Sequence, residues 1–349
     1  MKKIATVIGA RPQFIKAAPL SLEIAKSGQI EEVCIHTGQH FDENMSGVFF
    51  RELGLPKPAY QLDIHGGPHG QMTGRMMEAI EAIFLKDRPD AVLVYGDTNS
   101  TLAGGLVAAK LHIPVVHVEA GLRSFNRSMP EEVNRVLVDH ISAMLLCPTS
   151  AAVKNLTDEG ITKGVYQVGD LMYDAILQLS PVAAKHSRIL EKLLLEPKGY
   201  GVATLHRAEN TDSPDALRKA MAFLVRLAEE IPLVLPLHPR TRKALADAGI
   251  DVTRSQLKLI DPVGYLDMHM LLSHANVVAT DSGGVQKEAY FYRVPCITLR
   301  SETEWVETVE NGWNRLWHVD EYRPRHEIKE YGSGDTAKRI LELLNSTQL

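Results

Sequence analysis

The chain has 349 residues, of which 45% are hydrophobic and 23% are charged, and its formal net charge is -5. This length exceeds what a single hydrophobic core usually serves, so we expect two domains. The acidic balance argues against a nucleic-acid partner, which would require a basic surplus, and any anionic ligand must be held by local positive groups.

The number and spacing of the cysteines and the length of the apolar runs indicate the cellular compartment of the protein. Its three cysteines show no CxxC spacing, and their odd number is typical of a reducing compartment, so we expect a cytoplasmic protein. The N-terminal apolar run is interrupted by Gly9, Arg11 and Pro12 and therefore does not predict a signal peptide. No apolar stretch approaches the ~20 residues of a membrane helix, so we expect no membrane partner.

Short apolar, β-branched runs alternate with helical patterns through the first half of the chain. Each run is nearly continuous in apolar residues, as strands of a parallel sheet buried on both faces are. Most runs precede a segment with apolar residues three and four apart, such as 100–112 and 131–141. This βαβ order predicts a doubly wound parallel sheet in an N-terminal domain of residues 1–170. The predicted strands are 3–9, 32–38, 91–96, 114–119, 143–148 and 165–169.

The pattern restarts in the second half of the chain. A long helical stretch over 170–196, broken by Pro181, leads into a glycine- and proline-rich break, and strands follow again. We predict a second Rossmann-like domain over 171–334 and an amphipathic helix within 335–349 that rejoins the first domain. Ligands of open α/β sheets bind beyond the carboxyl ends of the strands, so we expect the site in a cleft between the two sheets. The second set of predicted strands is 202–206, 233–237, 257–260, 277–280 and 295–299.

The turn after the first predicted strand, residues 9–16, is a candidate anion site. Pro12 fits the first turn of the next helix, whose N-terminus attracts negative charge, and Arg11 and Lys16 add positive charge. The alternative is a surface turn with a solvated arginine. The turn matches neither GxGxxG nor a Walker loop, so the sequence predicts no nicotinamide or ATP cofactor.

Acidic side chains follow two further strands of the first domain. Asp97 and Glu119 each end a hydrophobic run, and Glu131 and Glu132 open the next predicted helix. Asp97 could instead cap the helix that follows it, and one of the two glutamates could merely complement the helix dipole. Glu119 has no such explanation, because an acid that closes a buried strand usually has a partner or a function.

The second domain places histidines at strand ends. His206 is the last residue of its predicted strand and precedes Arg207, and His238 repeats this pattern one strand later. A lone histidine is usually structural. The position of His206, at the end of a strand that faces a cleft rich in acids, favours a functional role for this residue.

A glycine-rich turn opens a helix further along the second domain. Ser282, Gly283 and Gly284 form this turn, where glycine permits close approach and free N–H groups can bind a pyrophosphate. Glu288 lies under two turns into the helix, where its carboxylate can accept both hydroxyls of a ribose. The combination predicts a nucleoside diphosphate site.

Four histidines, His36, His40, His65 and His69, raise the question of a metal site. Their spacing gives no helical His-x3-His pair, because two glycines and a proline separate the last two. We therefore predict no metal.

Taken together, these segments resemble the non-hydrolysing UDP-N-acetylglucosamine 2-epimerases over nearly the whole chain. The resemblance implies the glycosyltransferase-B fold, two Rossmann-like domains that close over a UDP-sugar, in a homodimer without cofactor. It rests on Thr-Gly-Gln-His at 37–40, Gly-Asp-Thr at 96–98, His-Val-Glu-Ala-Gly-Leu-Arg at 117–123, Pro-Glu-Glu-Val-Asn-Arg at 130–135, Leu-His-Arg-Ala-Glu-Asn at 205–210 and Asp-Ser-Gly-Gly at 281–284.

The resemblance also implies roles for individual residues. The implied chemistry inverts C2 of a UDP-linked 2-acetamido sugar, by elimination and re-addition of UDP through a 2-acetamidoglycal. The implied catalytic residues are Asp97, Glu119, Glu131 and His206. The implied UDP- or substrate-binding residues are Arg11, Lys16, Arg123, Arg135, Ser282, Gly283, Gly284 and Glu288.

Three segments depart from the usual sequence of the family. The opening reads Pro-Gln-Phe-Ile-Lys at 12–16, Trp305 stands where members carry arginine, and residues 41–46 lack the usual Arg-x-Met-Leu. The sequences of these segments resemble those of the family members that convert UDP-2,3-diacetamido-2,3-dideoxy-glucuronate to the mannuronate isomer for surface polysaccharide synthesis. Arg75 and Arg127 are candidates to pair the extra carboxylate of that sugar. Plain UDP-N-acetylglucosamine is the alternative substrate.

Three other functions remain open. A glycosyltransferase of the same fold would bind UDP but would need an acceptor, and it does not explain three clustered acids. A hydrolysing epimerase would release free N-acetylmannosamine. A nucleotide-sugar sensor would bind without catalysis.

Overall fold

The computed structural model describes residues 1–39, 55–251 and 255–347. The chain divides into two compact units, the first comprising Met1–Gln178 and Lys329–Leu349 and the second Leu179–Ile328. The division at residue 178 lies eight residues beyond the boundary predicted after residue 170. The reason is that the helix starting at Leu171 begins in the first unit, where its Asp174 accepts a hydrogen bond from the backbone N–H of Ala337.

Strands and helices alternate along the described part of the chain. Within those residues, no helix is long and apolar enough to cross a membrane. In chain order the elements are β1 (Lys2–Ile8), α1 (Arg11–Ser27), β2 (Ile30–His36), β3 (Tyr60–Gln61), α2 (His69–Asp87), β4 (Ala91–Tyr95), α3 (Asn99–Lys110), β5 (Val115–Val118), α4 (Pro130–Ile141), β6 (Met144–Cys147), α5 (Ser150–Asp158), β7 (Val165–Gln167), α6 (Leu171–His186), α7 (Ile189–Leu193), β8 (Gly201–Thr204), α8 (Ala208–Thr211), α9 (Pro214–Glu230), β9 (Leu233–Pro236), α10 (Pro239–Asp247), β10 (Leu257–Ile260), α11 (Tyr265–His274), β11 (Val277–Thr280), α12 (Gly283–Phe291), β12 (Cys296–Thr298), α13 (Val306–Glu310), β13 (Asn314–Leu316), a 3-10 helix (Lys329–Tyr331) and α14 (Thr336–Ser346).

The first unit is built on a seven-stranded parallel sheet in the order β3-β2-β1-β4-β5-β6-β7. The strand order reverses between β1 and β4, as it does in doubly wound sheets that bind ligands at this reversal. All six strands predicted for this half are present. The seventh, β3, pairs only two residues at the sheet edge, which is too short for an apolar run to reveal it.

The second unit contains a six-stranded parallel sheet in the order β10-β9-β8-β11-β12-β13. The continuous apolar runs of its strands follow from burial on both faces. Val202 and Val278 pack into one cluster, whereas their chain neighbours Ala203 and Ala279 pack into another. Because successive side chains of a strand point to opposite faces, both faces of this sheet are covered.

Helix α6 corrects one expectation, because the predicted break at Pro181 does not occur. The helix continues through Pro181 and ends at His186. A proline leaves the carbonyl four residues earlier without its helical partner. Here that residue is Leu177, whose 45% exposure lets water reach this side of the helix.

The C-terminal helix α14 returns to the first unit. Lys2 at the start of β1 donates a hydrogen bond of 2.7 Å to the carbonyl of Leu344. Ile340 and Leu344 on α14 are fully buried. Strand β1 and helix α14 are therefore packed together within the first unit.

Candidate active site

Two acidic residues of the first unit emerge at neighbouring strand ends. Strands β4 and β5 are parallel, with Tyr95 aligned beside Val118, so Asp97 and Glu119 both follow the carboxyl edge of the sheet. The backbone N–H of Gly96 donates to the carbonyl of Val118 at 2.9 Å and ties the two strand ends together. This edge is where open α/β sheets bind their ligands.

Glu119 adopts an unusual backbone conformation. Its φ angle of 69° lies in the left-handed region, which side chains other than glycine rarely adopt. Such a conformation costs roughly 1–3 kcal/mol and is concentrated at functional sites. A Cβ atom added to Gly96 would lie only 3.2 Å from the Oε2 of Glu119, so glycine at this position gives the carboxylate its space.

Lys16 lies against Glu119 in a mostly buried ion pair. The Lys16 ammonium donates to the Glu119 carboxylate, and about a tenth of each side chain is exposed. The sequence predicts Lys16 as a ligand of phosphate, whereas in the structure its charge balances an acid. An anionic ligand would therefore have to share this ammonium with Glu119.

Gln13 organises the turn that carries Arg11. Its side-chain carbonyl accepts hydrogen bonds from the backbone N–H groups of Gly9 at 2.8 Å and Ala10 at 3.0 Å. Its amide donates to the carbonyl of Tyr95 at 2.9 Å, which fixes the turn to β4. The predicted anion site therefore begins after these two N–H groups, at the half-buried Arg11 in the first position of α1. In the sequence, Gln13 stands out only as part of the unusual opening Pro-Gln-Phe-Ile-Lys at 12–16.

Asp97 is paired, and it does not cap helix α3. The N-cap residue is Thr98, whose hydroxyl accepts from the backbone N–H of Thr101. The Asp97 carboxylate instead accepts from the guanidinium of Arg135, and its carbonyl accepts from the Asn134 side chain at 2.9 Å. The structure thus brings Asp97 into contact with Arg135, which the sequence predicts as a ligand-binding residue.

The two glutamates at the start of α4 have different environments. Glu132 is buried and accepts from the backbone N–H groups of Ser124 and Phe125, both at 2.9 Å, and from Arg135 at 2.8 Å. Glu131 is half-buried, and no residue in the described ranges forms a hydrogen bond or ion pair with it. Glu131 precedes Arg135 by four residues and so lies on the same face of α4 as Arg135, which is the partner of Asp97. Glu132 is structural, and Glu131 is available for chemistry.

A buried charged network lies behind the Glu119 segment. His117 Nδ1 bonds to Asp139 and Nε2 bonds to the carbonyl of Gly96, both at 2.7 Å. Both ring nitrogens of His117 therefore face oxygen atoms that accept hydrogen bonds. Burial alone raises the pKa of Asp139, but His117 and then Arg123 lower it overall.

Arg123 completes this network. It donates to Asp139 at 2.6 Å, to the carbonyl of Leu122 at 2.7 Å, and to both oxygens of Glu159 at 2.7 and 2.8 Å. The sequence predicts Arg123 as a ligand-binding residue, but its position favours a structural role, because its donors are used and its side chain is buried. Asp139 was not predicted from the sequence, because it lies in α4 outside every motif that indicates a site.

In the second unit, the predicted turn opens helix α12 as expected. Ser282 is the N-cap residue, and its hydroxyl accepts from the backbone N–H of Val285. Gly283 and Gly284 are the first residues of the helix, so their N–H groups are at its positive end. A Cβ atom added to Gly283 would lie 2.4 Å from the Oε1 of Glu304, so this glycine also serves internal packing. Glu288 is buried on the same helix.

His206 follows β8 and lies beside a fully buried acid, Asp281. The backbone N–H groups of His206 and Arg207 both donate to the Asp281 carboxylate at 2.9 Å. The imidazole of His206 is 46% exposed. His238 is half-buried nearby, and burial followed by the charge of His206 lowers its pKa. In the sequence, Asp281 stands out only as part of the Asp-Ser-Gly-Gly motif at 281–284.

The histidines considered for a metal site have other contacts. The ring of His36 stacks on Phe14 at 5.1 Å, and Nδ1 of His69 bonds to Asn99 at 3.1 Å. His40 lies outside the described residues. Within the described residues, no group of three or more His, Cys, Asp or Glu side chains is arranged to hold a metal ion.

Comparison with known proteins agrees with this geometry. The family model described as UDP-N-acetylglucosamine 2-epimerase matches residues 22–345. A UDP-N-acetylglucosamine 2-epimerase homolog from Methanococcus maripaludis is 50% identical, over 99% of both chains. A UDP-2,3-diacetamido-2,3-dideoxy-D-glucuronate 2-epimerase from Pseudomonas aeruginosa is 49% identical, over 98% of this chain and 99% of the relative.

Solved structures give the same result. The crystal structure of the UDP-GlcNAc 2-epimerase from Methanocaldococcus jannaschii, in complex with UDP-GlcNAc and UDP, matches with a TM-score of 0.91. The two sequences are 41% identical, and the match covers 99% of this chain and 100% of the other. The predicted α/β fold with two Rossmann-like domains, the glycosyltransferase-B type, is confirmed. The chain belongs to the UDP-N-acetylglucosamine 2-epimerase family.

Proposed function

We propose that the chain inverts C2 of a UDP-linked 2-acetamido sugar by eliminating UDP and adding it back across a 2-acetamidoglycal. The observation that carries this proposal is the set of three acids at one sheet edge of the first unit. Asp97 is bound to Arg135, Glu119 is bound to Lys16, and Glu131 shares a helix face with Arg135. Acid–base chemistry on two faces of a sugar ring needs more than one such carboxylate.

The reaction requires both a leaving group and a base. The C2 proton of a sugar is not acidic, so the anomeric C–O bond breaks first or nearly so, and UDP leaves with the electron pair. Positive charge at C1 then lets a carboxylate remove the C2 proton, which forms the C1–C2 double bond of the glycal. Re-addition of UDP to C1, with proton delivery to the opposite face of C2, gives the epimer.

We assign the nucleotide to the second unit. The N–H groups at the start of α12, at Gly283 and Gly284, suit the pyrophosphate, and the Glu288 carboxylate suits the ribose hydroxyls. His206 donates to the departing pyrophosphate and stabilises its developing charge. This scheme uses neither a metal nor a nicotinamide.

We propose UDP-2,3-diacetamido-2,3-dideoxy-glucuronate as the substrate, because a 49% identical relative is named for that activity. Other relatives support the alternative, since the UDP-N-acetylglucosamine 2-epimerase from Methanocaldococcus jannaschii is 43% identical. The uronate carboxylate requires a cation. Arg75 already donates to the carbonyls of His65 and Gly66, at 3.0 and 2.9 Å. Arg127 is exposed and makes no polar contact with other described residues, so we assign the carboxylate to Arg127.

The test is incubation of the purified protein with each UDP-sugar in D2O, without an acceptor, followed by proton NMR. We expect the C2 epimer of the uronate, with deuterium at C2, and activity that persists in EDTA. Retention of the original hydrogen would instead indicate a hidden oxidation by a nicotinamide. Release of free sugar would indicate a hydrolysing epimerase, and a requirement for an acceptor would indicate a glycosyltransferase.

We further propose a homodimer in the cytoplasm. The three cysteines are free, and burial, followed by the charge of Asp139, raises the pKa of the Cys147 thiol to about 12. Such a thiol stays protonated and unreactive, in keeping with a reducing compartment. Light scattering coupled to size exclusion measures the mass in solution, and a monomer at micromolar concentration would contradict the dimer.

A further inference from the structure

Asp281 is fully buried, and the two oxygens of its carboxylate lie in different environments. Its Oδ2 accepts three hydrogen bonds, from the backbone N–H groups of His206 and Arg207 at 2.9 Å and from the Asn210 side chain at 3.1 Å. Its Oδ1 has no hydrogen-bond partner in the described part of the chain. Three bonds to one oxygen explain how Asp281 anchors the segment after β8, but they leave the other oxygen without a role.

A buried carboxylate oxygen without a hydrogen-bond partner is unfavourable, so a donor is expected nearby. That donor is the imidazole of His206, whose Nδ1 lies 3.4 Å from Oδ1. The distance is within ion-pair reach and slightly longer than an ordinary N–H···O hydrogen bond. Because the ring is 46% exposed, packing alone does not fix its orientation.

We propose that Asp281 is a positioning residue for His206. Its Oδ1 accepts the Nδ1 proton, aims Nε2 toward the ligand, and stabilises the positive charge on the ring. The Nε2–H then donates to the leaving pyrophosphate as a charged group. This inference rests on the proposed function, and it gives the buried acid of the second unit a part in the reaction.

The substitution Asp281→Asn separates positioning from anchoring. The asparagine carbonyl can still accept from the three N–H donors, so the segment keeps its anchor. Its amide group then faces Nδ1 and donates to it, which forces a neutral ring with its single proton on Nε2. We expect turnover to fall by about 10- to 100-fold, by analogy with metal-bound histidines that lose their outer hydrogen-bond partner.

The decisive kinetic measurement is a double-mutant cycle with His206→Asn. If Asp281 acts through His206, Asp281→Asn changes turnover less than about 2-fold in the His206→Asn background. An equal loss in both backgrounds would overturn the proposal and leave Asp281 as an anchor. Asp261→Asn is the matched control, because Asp261 follows β10, the edge strand of the same sheet, and its side chain is 92% exposed.

A second measurement remains valid if the variant does not fold or the wild type epimerises neither sugar. Nitrogen-15 NMR of the UDP-bound wild type reports both ring nitrogens of His206, assigned by their loss in His206→Asn. We expect both to be protonated, with the Nδ1 proton hydrogen-bonded. An Nδ1 without a proton would overturn the positioning role. Absence of epimerisation alongside the expected NMR pattern would count against the proposed function alone.

Discussion

Replacing Asp174 with asparagine is expected to stabilise the packing of helix α14 at neutral pH. Asp174 lies on α6, is 2% exposed, and accepts a hydrogen bond of 2.8 Å from the backbone N–H of Ala337 at the start of α14. Burial raises the pKa of Asp174 to about 6, although the N–H of Ala337 acts in the opposite direction. The asparagine carbonyl can keep that hydrogen bond without carrying a charge.

The magnitude follows from the difference in pKa between the folded and unfolded states. An unfolded aspartate titrates near ~3.9, so the folded state binds its proton more tightly by about two pKa units. Stability from this group is therefore fully present below about pH 4 and is lost as the pH rises through about 6. Two units correspond to about 3 kcal/mol. Relative to the wild type, the free energy of unfolding of Asp174→Asn should therefore rise by on the order of that amount between pH 4 and pH 7. Any change in packing that does not depend on pH adds a constant to this difference and leaves the rise unchanged.

Hydrogen exchange of the α14 amides measures this difference directly. All three tryptophans, at positions 305, 313 and 317, lie in the second unit, so their fluorescence does not report on α14. Protection is compared between wild type and variant at each pH, after correction for intrinsic exchange. Asp158→Asn is the control, since that side chain is 60% exposed in the same unit. A difference between Asp174→Asn and wild type that stays constant from pH 4 to pH 7 would refute the reasoning.

Further predictions concern the first unit. Asp97→Asn, Glu119→Gln and Glu131→Gln should each lower turnover by on the order of 10²-fold while UDP binding by calorimetry survives better, and near-normal turnover in all three would remove the acid–base assignment. Gly96→Ala should destabilise the protein by about 1–2 kcal/mol in thermal unfolding, because its φ is 60° and the added Cβ meets the Glu119 carboxylate. An unchanged melting temperature would contradict this. Arg127→Met should reduce the preference for the uronate over UDP-N-acetylglucosamine by about 10- to 150-fold in affinity, which is the contribution of a charged hydrogen bond. An unchanged ratio of kcat/KM for the two sugars would exclude Arg127 as the partner of the uronate carboxylate.

The strands were largely predictable, because burial on both faces makes them continuous apolar runs. The two that were missed show the limit of that signal. Strand β3 contains only Tyr60 and Gln61 at the sheet edge, and β13 includes Asn314 and Arg315, so neither forms an apolar run. Each owes its place to pairing with a neighbouring strand, which one segment of sequence does not contain.

The position of the acids was predictable, but their partners were not. Strand ends in an open α/β sheet predict where Asp97 and Glu119 lie. The contact of Lys16 with Glu119 joins residues 103 positions apart, and no local pattern reports it. Glu131 and Glu132 illustrate the same point, since neighbours on a helix point about 100° apart and only the surrounding structure decides which one is buried.

The return of α14 to the first unit has a consequence for synthesis on the ribosome. The second unit, Leu179–Ile328, is one continuous stretch and can fold as soon as it emerges. The first unit starts earlier in the chain but lacks Lys329–Leu349 until that segment has been synthesised, after the whole of the second unit. During that interval the surface that later receives Ile340 and Leu344 is open to solvent. The nascent chain therefore carries an incomplete first unit while the second unit is synthesised, and chaperones that bind apolar surfaces can bind it during that time.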